Sequence, residues 1–186
     1  MAEDEATKTL ESRADQVIVL IIPDEEYREK ILDITKELSN LTDKICYISL
    51  NRPYGTLIQE FKRREIDLKK FYFIDAITQT AETTQPSPNC EFVSSPGALT
   101  ELSLSISNIL DKKEVNYLIF DSLSTLLVYE NEMIVTKFIH SLMAKIRVVG
   151  CNAVFTCLEQ DKGSVLIKDI NMFSDRILNV KHWGLK

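Results

Sequence analysis

"YLIFDSLSTLL", Tyr117 to Leu127, decides how this chain reads. Four apolar residues, Tyr117 to Phe120, run directly into Asp121 and then Ser122. A short continuous apolar run suits a strand buried on both faces of a sheet. Its carboxyl end is where open α/β sheets bind ligands, and a carboxylate there can hold magnesium. Such a strand serves phosphate chemistry only if another part of the chain binds the phosphates.

Working outward, similar runs recur. They are Gln16 to Pro23, Lys44 to Leu50, Phe71 to Ile77, Asn116 to Ser122 and Cys151 to Leu158. A last run, Asp175 to Trp183, alternates more and predicts an edge strand. Amphipathic segments lie between them. Asp24 to Asn40 places Tyr27, Ile31, Ile34 and Leu38 on one helical face, and Tyr54 to Ile66 gathers Leu57, Ile58 and Phe61. Gly97 to Lys113 carries Leu99, Leu102, Ile106 and Ile109, and a long helix from Asn131 stops at Gly150. Strands alternating with helices predict right-handed crossovers, a mostly parallel sheet and a three-layer α/β/α sandwich. One domain is expected over residues 16–186, behind a flexible acidic tail at residues 1–15. Thr78 to Asn89 is polar, contains two prolines and reads as a mobile loop.

Composition narrows the function. The 186 residues carry a net charge of −6, which does not draw nucleic acid or anionic membranes by bulk charge. The one short basic run, Lys62 to Arg64, reads as a solvated helix face, so a nucleic-acid partner is not expected. No apolar run reaches membrane-spanning length, and the polar start is not a signal peptide. Cys46, Cys90, Cys151 and Cys157 form no C-x-x-C pair, which points to a cytoplasmic protein without disulfides. His140 and His182 stand apart with no zinc-like spacing.

A phosphate loop of the form G-x-x-x-x-G-K-[ST] needs glycines whose backbone N–H groups close around oxygens and a lysine for the outer phosphates. The five glycines are Gly55, Gly97, Gly150, Gly163 and Gly184, and none opens such a motif. The first strand instead feeds "PDEEYREK", Pro23 to Lys30. Asp24 is expected to cap the following helix, with Glu25 and Glu26 beside its positive end. A triphosphate arriving there would meet three carboxylates and no cradle.

On these residues the chain resembles the RecA-like ATPases of the KaiC type, as found in archaea, over roughly residues 16–181. "CYISLNRPYGTLIQEFKRREIDLKKFYFIDAI", "LTELSLSISNIL" and "YLIFDSLSTLLVYENEMIVTKFIHSLMAKIRVVGCNAVFTC" carry the resemblance, most specifically "FDSLSTLL" and "KFIHSLMAKIR". It implies a RecA-like P-loop NTPase topology, here without the P-loop. Asp121 matches the family's magnesium aspartate and is the one metal-site residue assigned, as a vestigial Walker B position. Where the family places a water-activating glutamate after the second strand, this chain has Asn51 or a neighbour. Asparagine orients water but cannot take its proton.

The expectation is therefore a pseudo-ATPase without catalytic residues or cofactor. It would work as a regulatory or signalling module that binds an unidentified protein and could self-associate. The competing expectation is a magnesium- or nucleotide-binding enzyme using Asp24, Asp75 and Asp121 at the carboxyl edge. Arg52 and Tyr54 could also face a ligand or partner, although a Pro-Tyr-Gly turn leading into a helix explains them as well.

Overall fold

The computed structural model describes residues 17–180. Seven strands form one all-parallel sheet: β1 (Val17–Ile22), β2 (Ile45–Ser49), β3 (Phe71–Asp75), β4 (Cys90–Phe92), β5 (Tyr117–Asp121), β6 (Asn152–Leu158) and β7 (Arg176–Asn179). Their order is β4-β3-β2-β5-β6-β1-β7. The helices are α1 (Tyr27–Leu41), α2 (Tyr54–Arg63), α3 (Leu99–Lys113), α4 (Leu123–Tyr129), α5 (Glu132–Val149) and α6 (Val165–Ile170).

Alternate strand residues divide into two cores, as a pleat of period two requires. Ile18, Leu20, Ile45, Tyr47, Ile119 and Val154 pack under α1 and α2. Val19, Cys46, Ile48, Leu118, Phe120 and Phe155 pack under α3, α4, α5 and α6. This is the expected three-layer sandwich. The four cysteines are free and buried.

Local chemistry sets the element ends. Gly150 adopts a left-handed φ of 70° and returns its N–H to Ile146 and Arg147 carbonyls, closing α5 where expected. β7 lies at the sheet edge, beside β1. Thr78–Thr80 forms a single 3-10 turn within the segment expected to be a loop. Three short elements were not anticipated: β4, α4 and α6. Each is seven residues or fewer, too short for its periodicity to stand out. The expected tail at residues 1–15 and His182 lie outside the described residues, as does the end of the run to Trp183.

Asp24 departs from its expected role. Asp24–Glu26 forms a 3-10 turn before α1, and no side chain caps either element. The carbonyls of Pro23 and Asp24 take the N–H groups of Glu26 and Tyr27, so the backbone closes its own turn. The Asp24 carboxylate instead accepts from the Gln160 N–H across the gap to the turn after β6, at 3.4 Å.

Candidate functional site

Register places the acidic strand ends. Ser49 at the end of β2 lies opposite Asp75 on β3 and Asp121 on β5. The two carboxylates therefore stand two strand spacings apart, about 10 Å. β1, which leads to Asp24, lies a further two strands beyond β5. The structure does not bring the three carboxylates together, and no cluster of three or more metal-ligating side chains occurs among the described residues.

Asp75 organises loops. Its Oδ1 accepts from the N–H groups of Ile77 (2.7 Å) and Thr78 (2.9 Å). Its Oδ2 accepts from the Tyr54 N–H at 2.7 Å and from the Thr78 hydroxyl. One buried carboxylate thus ties the start of α2 to the loop after β3. The Tyr54 ring packs edge-on against Phe73 at 5.2 Å and against Phe92. Packing positions the Tyr54 ring, which also lines a surface crevice with Pro53, Thr78 and Phe92.

Asp121 is 0% exposed and surrounded by donors. Its backbone joins Ser122 through a cis peptide bond. Oδ1 accepts from the Tyr27 hydroxyl at 2.7 Å and the Asn51 amide at 2.9 Å. Oδ2 accepts from the Tyr47 hydroxyl at 2.6 Å and Arg52 Nη2 at 2.8 Å. Two elements of the fold make this convergence. Tyr47 points to the same sheet face as Asp121 because each lies an even number of residues from the Ser49–Asp121 pair. Tyr27 opens α1, directly after the Asp24–Glu26 turn that follows β1. Its hydroxyl also meets Thr156 Oγ1 at 2.5 Å, and Thr156 donates to the Phe120 carbonyl at 3.0 Å.

Arg52 turns inward to join Asp121, rather than outward toward a ligand. Nη1 reaches Glu60 Oε2 on α2 at 2.8 Å, and Nη2 also contacts the Tyr47 hydroxyl at 2.9 Å. Glu60, buried as well, takes Arg28 of α1 on its other oxygen through Nε at 2.8 Å and through Nη2. A chain of alternating charge therefore runs Asp121, Arg52, Glu60, Arg28. Burial works against the Arg52 charge, but Tyr47, Asp121 and Glu60 outweigh it and hold its proton more firmly than usual. Burial and the Asp121 charge push the Tyr27 and Tyr47 phenols well above their ordinary range, keeping both as neutral donors.

A crevice of about 430 Å³ opens beside this network, with Tyr27, Asn51, Ser122, Leu127, Leu158 and Asp161 among its lining. Ser122 caps α4, accepting from the Thr125 N–H at 3.3 Å.

Sequence reasoning located Asp121, Asn51 and Arg52 but missed Tyr27, Tyr47, Glu60 and Thr156. A tyrosine inside "KICYISL" was the available signal, because a buried phenol needs a partner. Lys62 and Arg63 are exposed, while Arg64 pairs across to Glu29 and Asp33 on α1. The His140 ring lies tilted against Phe173, with centroids 3.9 Å apart, and belongs to no group of three or more metal-ligating side chains among the described residues.

Comparison with known proteins bears on the whole chain. The family model described as "ATPase: KaiC" matches residues 32–180. A crystal structure of the KaiC-like protein PH0186 from the hyperthermophilic archaeon Pyrococcus horikoshii OT3 superposes with a TM-score of 0.65 at 12% identity, covering 92% of this chain and 75% of that one. No curated protein matches the sequence. No helix among the described residues is long and apolar enough to cross a membrane.

Proposed function

We propose that this chain, which belongs to the KaiC family of ATPases, is a catalytically inactive RecA/KaiC-like domain working as a regulatory or signalling module that binds another protein. One observation carries the reading. All the acceptor capacity of Asp121 that a metal or its waters would need is taken by Tyr27, Tyr47, Asn51 and Arg52. An ionised carboxylate offers about four lone-pair sites, and four donors fill them. Arg52 already supplies the positive charge that a cation would bring, and it would repel a second one at contact distance.

The rest of the site supports the same conclusion. Phosphoryl transfer depends on positioning and on charges that cradle the phosphates. At the β1–α1 connection the exposed groups are Asp24, Glu25 and Glu26, which oppose an anion. Asn51, at the position where a water-activating acid is expected, donates to Asp121 and has no basic atom to take a proton. Asp121 is thus a metal-site aspartate turned into a structural hub.

Thermal unfolding with magnesium, Mg-ADP and Mg-ATP, joined to a phosphate-release assay, tests this. A ligand at a hundred times its Kd stabilises by about 2.7 kcal/mol, which is about 5–11 °C for a chain this size. No shift with millimolar ligand and no phosphate release above buffer are expected. Release that disappears on Asp121→Asn would overturn the reading.

A further inference from the structure

We propose that the crevice beside Asp121 receives an arginine or lysine side chain from an apolar segment of a partner protein. The inference rests on the reading above, in which no nucleotide occupies this edge of the sheet.

The crevice lies between the start of α1, the turn after β2, α4 and the turn after β6. Its walls are apolar where Leu127, Val128 and Leu158 line them. Among the described residues its one charged lining group is the Asp161 carboxylate, beside the Tyr129 hydroxyl and the Gln160 side-chain amide. No hydrogen bond or ion pair engages the Asp161 carboxylate among the described residues. The Asn51 amide nitrogen is held by Asp121, and the residue is exposed. Among the described residues no lysine, arginine or histidine lines the crevice. Cations close in sequence to its lining residues are engaged: Arg52 by Asp121 and Glu60, Lys30 by Glu26, and Lys162 by Glu159. Asp24 adds a further carboxylate through its contact with Gln160, which also lines the space.

Aliphatic walls beside an unpaired carboxylate match an aliphatic stem ending in a cation. The surroundings favour a protein segment over a free amine. Val128 is 81% exposed at the crevice mouth. Tyr129, beside it in the lining, is 48% exposed. A small amine would leave these apolar side chains in water, whereas a peptide backbone carrying the cation can cover them. A second copy is disfavoured as the occupant, because two chains of net charge −6 repel.

The probe is the peptide acetyl-Leu-Arg-Leu-amide, compared with its citrulline counterpart, which keeps the shape and loses the charge. The full chain, labelled with nitrogen-15, is titrated with each and followed by amide chemical shifts. The arginine peptide is expected to move Val128, Gln160 and Asp161. Citrulline, or Asp161→Asn in the protein, should weaken binding about fivefold, the range of a solvent-accessible ion pair, and added salt should weaken it too. Val128→Ser, which leaves the charge intact, should also weaken the peptide but not free argininamide. Equal binding of citrulline, shifts away from the crevice, or argininamide binding as tightly as the peptide would overturn the proposal. So would self-association in sedimentation that Asp161→Asn abolishes. Mg-ATP in the same spectra separates the two readings: shifts at Tyr27 and Asn51 sink the inactive assignment, whereas silence from both Mg-ATP and the arginine peptide sinks only this proposal.

Discussion

Arg52→Ala removes the one cation that, among the described residues, touches the buried carboxylate at the centre of the site. Asp121 is 0% and Glu60 4% exposed, and the Arg52 side chain is 14% exposed while bridging the two. Breaking a buried pair by deleting one partner costs about 3–5 kcal/mol, mainly because a charge is left without compensation. Here the loss is cushioned. Asp121 keeps three neutral donors, Tyr27, Tyr47 and Asn51, and Glu60 keeps Arg28. The lower end applies, about 3 kcal/mol. For a chain of this size that is a fall in Tm of about 6–12 °C. Urea unfolding of the wild type, Arg52→Ala, Asp121→Asn and the double variant supplies the decisive comparison. Once the carboxylate is neutral, losing Arg52 should cost only about 1 kcal/mol, the value of an ordinary hydrogen bond. The coupling is then about 2 kcal/mol, well inside what contacting charged residues show. Strict additivity would refute the view that Arg52 replaces a metal's charge, as would an Arg52→Ala protein that unfolds with the wild type. Arg52→Lys should fall between, because an ammonium keeps the charge but cannot hold Asp121 and Glu60 at once through a planar fork.

Three further outcomes follow from the same geometry. Asp75→Ala strands the N–H groups of Tyr54, Ile77 and Thr78, so it should cost about 2–3 kcal/mol, with hydrogen exchange accelerating at the start of α2 before the rest of the chain. Burial and the Asp121 charge hold the Tyr27 and Tyr47 phenols well above the ordinary phenol range, about 10, in the fold. The unfolded chain therefore releases those protons first, and the stability they contribute is complete below pH 10 and declines as pH rises beyond it; an alkaline titration followed by circular dichroism should show this, and Tyr27→Phe with Tyr47→Phe should flatten it. Burial pushes the thiols of Cys46 and Cys90 upward, and that of Cys157 up to about 11. A disulfide reagent at mildly alkaline pH should therefore leave all four buried cysteines unlabelled until denaturant is added, and rapid labelling of the native chain would contradict their placement.

The amino-acid sequence by itself determined the layers and most of the sheet. Continuous apolar runs such as Tyr117 to Phe120 can be covered only by helices on both faces, and the amphipathic segments between them provide those helices. It also placed Asp121 at a strand end and left the β1–α1 connection without a phosphate loop, since both need only the order of residues. Only the tertiary structure decided what Asp121 does. Its four donors come from positions 27, 47, 51 and 52, which are adjacent to it in space because parallel strand order sets β2 beside β5 and brings the start of α1 over the carboxyl edge. Strand order and register are long-range properties, and local pattern does not carry them. The same limit explains Asp24. Residue type favoured a helix cap, but a 3-10 turn satisfied the local N–H groups through backbone carbonyls and released the carboxylate to the turn after β6. Whether a carboxylate holds a cation or an arginine depends on which donors the fold delivers to its oxygens.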